Sequence, residues 1–262
     1  MAEPKPLRVA GIQHTIAWED PETNFHHLRG LIADAVEGGA RLVALTEMYS
    51  NGFSMNTGAI AEPPDGPSTQ FLVDQATKHG TWICGSLPEQ LPDQRRPHNC
   101  LVLASPTGDV QRYRKIHRFA YAGEADHYEG GADAVTVDIE GTRVSLFVCF
   151  DLRFAPNFWE AAARTDLYVL VANWPAARST HWTTLLRARA IENQAYMLGV
   201  NRVGAADDGL DHSGDSRLFN PLGELVVGAA ANEEVVMIGD VDPGLVARVR
   251  ADYPFLDERT DS

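Results

Sequence analysis

The chain has 262 residues, long enough to bury a sizeable core without disulfide or metal staples. Apolar residues make up 44% and charged residues 22%, the balance of a globular protein, which excludes a disordered or fibrous chain. Asp and Glu number 36 against 22 Lys and Arg, and the net charge of −14 argues against nucleic acid or an anionic membrane surface as partner.

Strand-like and helix-like segments alternate, which predicts an α/β class. Val9–Ile12 is a short apolar strand. Asp20-Pro21 then marks a helix start, with an acid at the N-cap and proline at the first position. Phe25, Leu28, Ile32, Ala35 and Val36 continue it at helical spacing until Gly38-Gly39. Leu42–Leu45 is a second strand and runs directly into Thr46-Glu47. After a proline-rich loop through Pro67, a helix is predicted over Ser68–His79, stopping at Gly80. Trp82–Leu87 and Cys100–Ala104 read as strands, and Pro106-Thr107-Gly108 turns a hairpin over Leu101–Tyr113.

A second hairpin over Val135–Val148 turns at Glu140-Gly141. Leu167–Ala172 has the unbroken apolarity of a strand buried on both faces. Thr180–Tyr196 is the strongest helix and Met197–Asn201 a strand. Pro221-Leu222-Gly223 turns between Arg217–Asn220 and Glu224–Val227, and a last strand lies near Val235–Ile238. No linker or low-complexity tract divides the chain. One domain over 1–262 is expected, with its core at about 7–240 and the polar stretch after Tyr253 loose or packed on a partner subunit. No apolar run approaches the ~20 residues of a membrane helix. Met1–Pro6 lacks a signal-peptide pattern, so a cytoplasmic protein is expected. Cys84, Cys100 and Cys149 are odd in number and widely spaced, which argues against a disulfide framework or a zinc site.

Three residues stand where α/β sheets commonly bind ligands, at strand ends. Glu47 follows Leu42–Leu45, Lys115 follows a strand inside Tyr113-Arg114-Lys115-Ile116-His117, and Cys149 ends Val144–Val148. A cysteine there, followed by Phe150-Asp151-Leu152-Arg153, suits a tight turn that exposes the sulfur and aims the next N–H at the same spot. Taken singly each has an ordinary explanation. Buried cysteines mostly act as small hydrophobes, a glutamate at a strand end is usually a cap or ion-pair partner, and a lysine in a basic run is usually solvated.

Taken together, in order, the blocks resemble the nitrilase superfamily, the carbon–nitrogen hydrolases. The matching segments are Leu45-Thr46-Glu47-Met48 with Gly52-Phe53, Tyr113–His117, and Cys149-Phe150-Asp151-Leu152-Arg153-Phe154. They continue through Asn173-Trp174-Pro175, His181-Trp182, Arg189–Gln194, Gly214-Asp215-Ser216 and Asn220–Gly223, so they span almost the whole chain. The resemblance implies a four-layer α-β-β-α sandwich of two mixed sheets flanked by helices, and a homodimer in which helix layers meet. It implies Cys149 as nucleophile, Glu47 as general base and Lys115 as electrostatic stabiliser. Glu124, upstream of Gly130-Gly131, matches a second family glutamate. The Phe150 N–H would complete the oxyanion site, where the family often has tyrosine. Neither cofactor nor metal is implied.

The Asn173–Ser179 and Ala190–Gln194 segments are similar to the omega-amidase branch, which hydrolyses the terminal amide of 2-oxoglutaramate or 2-oxosuccinamate. Such a small amide carries a carboxylate, so Arg178 and Arg153 are candidates to bind it and Trp174 a candidate pocket floor. The alternatives are another short amide, a carbamoyl amine or a nitrile on the same machinery, or a catalytically silent binding protein.

Overall fold

The structure, a computed structural model, describes residues 5–207 and 209–259. Residues 1–4 and 260–262 of the expected 1–262 domain lie outside the described residues. In chain order the elements are β1 (Leu7–Gln13), α1 (Pro21–Glu37), β2 (Leu42–Ala44), α2 (Thr57–Ile60), α3 (Pro67–His79), β3 (Trp82–Glu89), β4 (His98–Ala104) and β5 (Val110–Arg114). There follow α4 (Glu124–His127), β6 (Val135–Ile139), β7 (Thr142–Val148), α5 (Ala155–Ala161), β8 (Leu167–Ala172), α6 (Ser179–Asn193) and β9 (Tyr196–Asn201). The chain ends with β10 (Val203–Ala205), β11 (Asp211–Ser213), β12 (Arg217–Phe219), β13 (Leu225–Gly228), β14 (Val235–Val241) and α7 (Pro243–Asp252).

Two six-stranded mixed sheets form the centre, ordered β14-β1-β2-β3-β4-β5 and β13-β12-β9-β8-β7-β6. β1, β2 and β3 run parallel in the first, as do β7, β8 and β9 in the second. One apolar core lies between the sheets and beneath α5 and α6; another lies between the first sheet and α1 and α3. The layers are therefore α-β-β-α, as the family resemblance implies.

Local sequence explains the elements. Asp20 caps α1 by accepting from the Thr23 N–H, Pro21 sets the first turn, and Phe25, Leu28, Ile32 and Ala35 form the buried face. Burying each large apolar side chain of that stripe contributes ~1.5–3 kcal/mol. All six residues of β8 are buried, as its unbroken apolarity predicts. The predicted helix over Thr180–Tyr196 is too long. It stops at Asn193 because Gln194 turns left-handed (φ 48°) and caps it, and Tyr196 already belongs to β9. α5 and α7 were not foreseen. In α7, Asp242 accepts from Gly244 N with Pro243 in the first turn, the same start signal as α1. The C-terminal segment lies on its own chain: Gln194 donates to the Tyr253 carbonyl, and Arg259 stacks over Trp159 and donates to the Glu192 carbonyl.

The parallel strands point their carboxyl ends to one edge of the sandwich. β2 delivers Thr46-Glu47 there, β5 Lys115, β7 Cys149 and β8 Asn173-Trp174.

Candidate active site

Two backbone strains mark this edge. Cys149 stands at φ 44°, and Met48, next to Glu47, at φ 46°. Left-handed conformations outside glycine cost of order 1 kcal/mol or more and persist where the surroundings impose them. Here Asp151 imposes one. Its buried carboxylate accepts from Val148 N (3.0 Å), before the turn, and from the Tyr113 hydroxyl (2.7 Å) and His117 N (2.8 Å), on either side of Lys115. The 3-10 turn over Cys149–Arg153 and the lysine segment are thus clamped to one carboxylate. Gly131 secures the other side of that segment by donating to the Lys115 carbonyl, at 2.9 Å. A Cβ at Gly131 would lie 2.1 Å from the Arg114 carbonyl oxygen, so only glycine fits that approach.

Lys115 Nζ lies 2.9 Å from Glu47 Oε1 and 3.0 and 2.9 Å from the two oxygens of Glu124. All three side chains are fully enclosed. Asn99, on β4, donates from Nδ2 to Glu47 Oε1 (2.8 Å) and Glu124 Oε1 (3.1 Å). Asn173 holds the remaining side of Glu47. Its N–H donates to Oε2 at 2.8 Å and its Nδ2 to the Glu47 carbonyl at 2.6 Å. Glu47 lies close enough to Cys149 for its charge to act on the thiol.

The electrostatics follow from enclosure. Burial works against the Lys115 ammonium, but Glu124 and Glu47 outweigh it and hold the pKa above its ordinary value. Burial pushes the Glu124 carboxyl up; Lys115 opposes this and Glu47 adds to it. Burial, reinforced by the Glu47 charge, pushes the Cys149 thiol well up, and Lys115 does not reverse it. These influences favour the protonated thiol over the thiolate.

Above this floor opens a cleft with about 620 Å³ of empty space, mouth included. Cys149, Phe150, Arg153, Trp174 and Arg178 all line it. Arg153 lies over the Trp174 ring (4.8 Å to its centroid) and donates to His181 Nδ1 at 3.3 Å. Arg178 lies over the Phe119 ring at 5.7 Å. Among the described residues no carboxylate pairs with either guanidinium. Burial and the neighbouring Arg178 lower the pKa of Arg153.

The Trp174 loop is fixed by Asn201, which accepts from Trp174 N (2.7 Å) and donates to the Trp174 carbonyl (3.0 Å) and the Gly214 carbonyl (2.9 Å). Gly214 is left-handed (φ 76°), and a Cβ there would sit 2.1 Å from the Gln13 side chain. Asp215 then ties this turn to α6 by accepting from the Ser179 hydroxyl, while its carbonyl accepts from Trp182 Nε1.

All eight residues singled out from the sequence gather at this cleft or its floor. Sequence reasoning missed Asn99, the part played by Asn173, and the lining residues Trp18, Phe53, Phe119, Arg202 and His212. Asn173 stands immediately after an apolar strand, which is a usable signal. Asn99 is a polar residue inside β4, which starts at His98, two residues before the strand predicted over Cys100–Ala104.

The carbon–nitrogen hydrolase family model matches residues 8–251. The chain is 35% identical over 248 residues to omega-amidase YafV of Escherichia coli K12, covering 95% of this chain and 94% of that protein. It is 28% identical over 255 residues to a 2-oxoglutaramate amidase of Bacillus subtilis, covering 95% and 96%. Among solved structures, XC1258 of Xanthomonas campestris, a CN-hydrolase superfamily protein with an arsenic adduct in its active site, superposes with a TM-score of 0.92 at 34% identity over 98% of both chains. An amidase from Nesterenkonia AN1 of the nitrilase superfamily superposes with a TM-score of 0.84 at 26% identity, over 99% of this chain and 97% of that one. The chain belongs to the carbon–nitrogen hydrolases of the nitrilase superfamily and is a hydrolase of carbon–nitrogen bonds in amides.

Proposed function

We propose that this amidase is an omega-amidase, releasing ammonia from the terminal amide of 2-oxoglutaramate or 2-oxosuccinamate through a Cys149 thioester. Glu47 takes the thiol proton as sulfur attacks the amide carbon. The oxyanion is held by the Lys115 ammonium and the Phe150 N–H; one such donor is worth roughly 3–4 kcal/mol of barrier. Protonated Glu47 gives its proton to the departing nitrogen and ammonia leaves. The same carboxylate then takes a proton from water, whose oxygen attacks the thioester carbon. The 2-oxo dicarboxylate departs and the sulfur recovers its proton. Glu124 keeps Lys115 charged and oriented.

The observation that carries the substrate assignment is the pair of guanidiniums, Arg153 and Arg178, lining the cleft beside Cys149 with no carboxylate partner among the described residues. A substrate carboxylate supplies the missing partner, and arginine suits its planar, bidentate geometry. Trp174 forms part of the apolar wall.

The test is ammonia release from 2-oxoglutaramate, with propionamide, a carbamoyl amine and a simple nitrile as comparators. Preference for the 2-oxo acid amide, with a mass increment on Cys149 trapped at acid pH, is expected. Equal rates on propionamide would sink the substrate, and full activity of Cys149→Ala would sink the mechanism.

The same reading includes a homodimer. Ile191 on α6 and Leu222, Leu225 and Val226 around the β12–β13 turn are exposed, and a second copy would cover them. Light scattering at twice the chain mass is expected. It also includes action in the cytoplasm, where the free thiol of Cys149 stays reduced; no described helix is long and apolar enough to cross a membrane.

A further inference from the structure

Glu47 Oε1 and Glu124 Oε1 are shared by two donors. Lys115 Nζ reaches them at 2.9 and 3.0 Å, and Asn99 Nδ2 at 2.8 and 3.1 Å. The four groups close a ring: carboxylate, ammonium, carboxylate, amide. An amide nitrogen carries two hydrogens, and this ring uses both. The sense of the Asn99 amide is therefore fixed, since its oxygen in that place would face two acceptors. The opposite end of the group is telling. Asn99 Oδ1 is buried and finds no donor among the described residues. Buried carbonyl oxygens usually find one. Asn99 forgoes that bond to keep its amino group between the carboxylates.

We propose that Asn99 is a positioning residue for the amidase reaction, fixing Glu47 against Glu124 and Lys115 so that its carboxylate is presented to Cys149. A neutral donor suits the task. Lys115 alone must divide its charge between two carboxylates, and a second cation would draw proton affinity away from the base. Asn99 supplies direction and two hydrogens without charge. It also shares with Lys115 the task of satisfying the two carboxylates. The assignment rests on the reading of Cys149 as nucleophile and Glu47 as its base.

Two variants test it. Asn99→Leu keeps the volume and removes both donors. Asn99→Asp keeps the shape and sets a third carboxylate beside the other two. Donors stabilise ionised carboxylates, so the leucine variant should hold its protons to higher pH. Its kcat should fall roughly 10- to 100-fold with KM nearly unchanged, and the acid limb of kcat/KM should move up by about one pH unit. The aspartate variant should lose more, and recover part of it as pH falls. Wild-type kcat and an unmoved acid limb in Asn99→Leu overturn the proposal. If neither variant folds, the wild-type side-chain amide decides: both Asn99 protons should resonate downfield, and ordinary shifts overturn the assignment. Cys149→Ser separates the two levels. Full activity in that variant removes the nucleophile reading itself, whereas an inactive Cys149→Ser beside a wild-type-like Asn99→Leu removes Asn99 alone.

Discussion

At the floor of the cleft, Glu47, Glu124, Lys115 and Asn99 are enclosed, and each charge meets an opposite charge or a donor. On the wall, Arg153 and Arg178 are half-buried and lie over aromatic rings. The floor's charges are satisfied within the protein, as the proposed reaction at Cys149 requires of a preset site. The wall's charges are unmatched among the described residues, so they are arranged for something that arrives. The same residue types serve opposite ends because enclosure decides whether a charge must be paired internally.

The sharpest way to break this contrast is to remove the floor's cation. Lys115→Met leaves two buried carboxylates facing each other. A loss of roughly 10²- to 10³-fold in kcat is expected, with about 3–5 kcal/mol of destabilisation. Steady-state kinetics and chemical denaturation measure the two together. A variant that lost activity with unchanged stability would mean the carboxylates need no internal partner.

The support behind the floor gives the next effect. His14 is buried, donates from Nδ1 to the Thr15 carbonyl and bonds through Nε2 to the hydroxyl of Thr46, next to Glu47. Burial lowers its pKa to about 4; the Thr15 bond opposes this, His27 and Arg202 add to it, and Glu234 opposes it. The unfolded chain takes that proton at about 6.5. The folded pKa is depressed, so the stability from His14 is complete above pH ~6.5 and declines as pH falls towards ~4, by about 3 kcal/mol in all. Denaturation midpoints at steps between pH 7 and 4 should follow that slope, and His14→Gln should flatten it.

The wall gives the smallest effect and the most selective one. Arg178→Met should raise KM for 2-oxoglutaramate roughly 10- to 100-fold. Its KM for an amide lacking a carboxylate, and its melting temperature, should stay as they are. A matching rise for both substrates would make Arg178 part of the floor's problem instead.

Much of this was legible before any coordinates. Strand ends at Glu47, Lys115 and Cys149 follow from apolar runs that stop abruptly, and the order of the blocks identified the family. The losses have physical causes. Gln194 ends α6 in a left-handed cap that glycine would have advertised and glutamine conceals. The start of α7 is written in Asp242-Pro243, but the segment after it is short and only weakly amphipathic, so periodicity does not mark it as a helix. Asn99 acts across strands, through carboxylates 52 and 25 residues away, and no local pattern encodes that distance. The aromatic wall draws Trp18, Phe53 and Phe119 from irregular segments, where periodicity is silent.

Glu47, Asn99 and Lys115 ride on the first sheet, and Cys149 and Asn173 on the second. The first sheet is built from the opening 114 residues plus β14, which returns over seven residues to pair with β1. A growing chain on the ribosome therefore carries Glu47 and Lys115 before it carries Cys149. The second sheet is complete at β13, whereas the first gains its edge strand only with β14. Bringing the two halves of the cleft together thus requires both sheets, so the cleft belongs to the packed sandwich and to neither sheet alone.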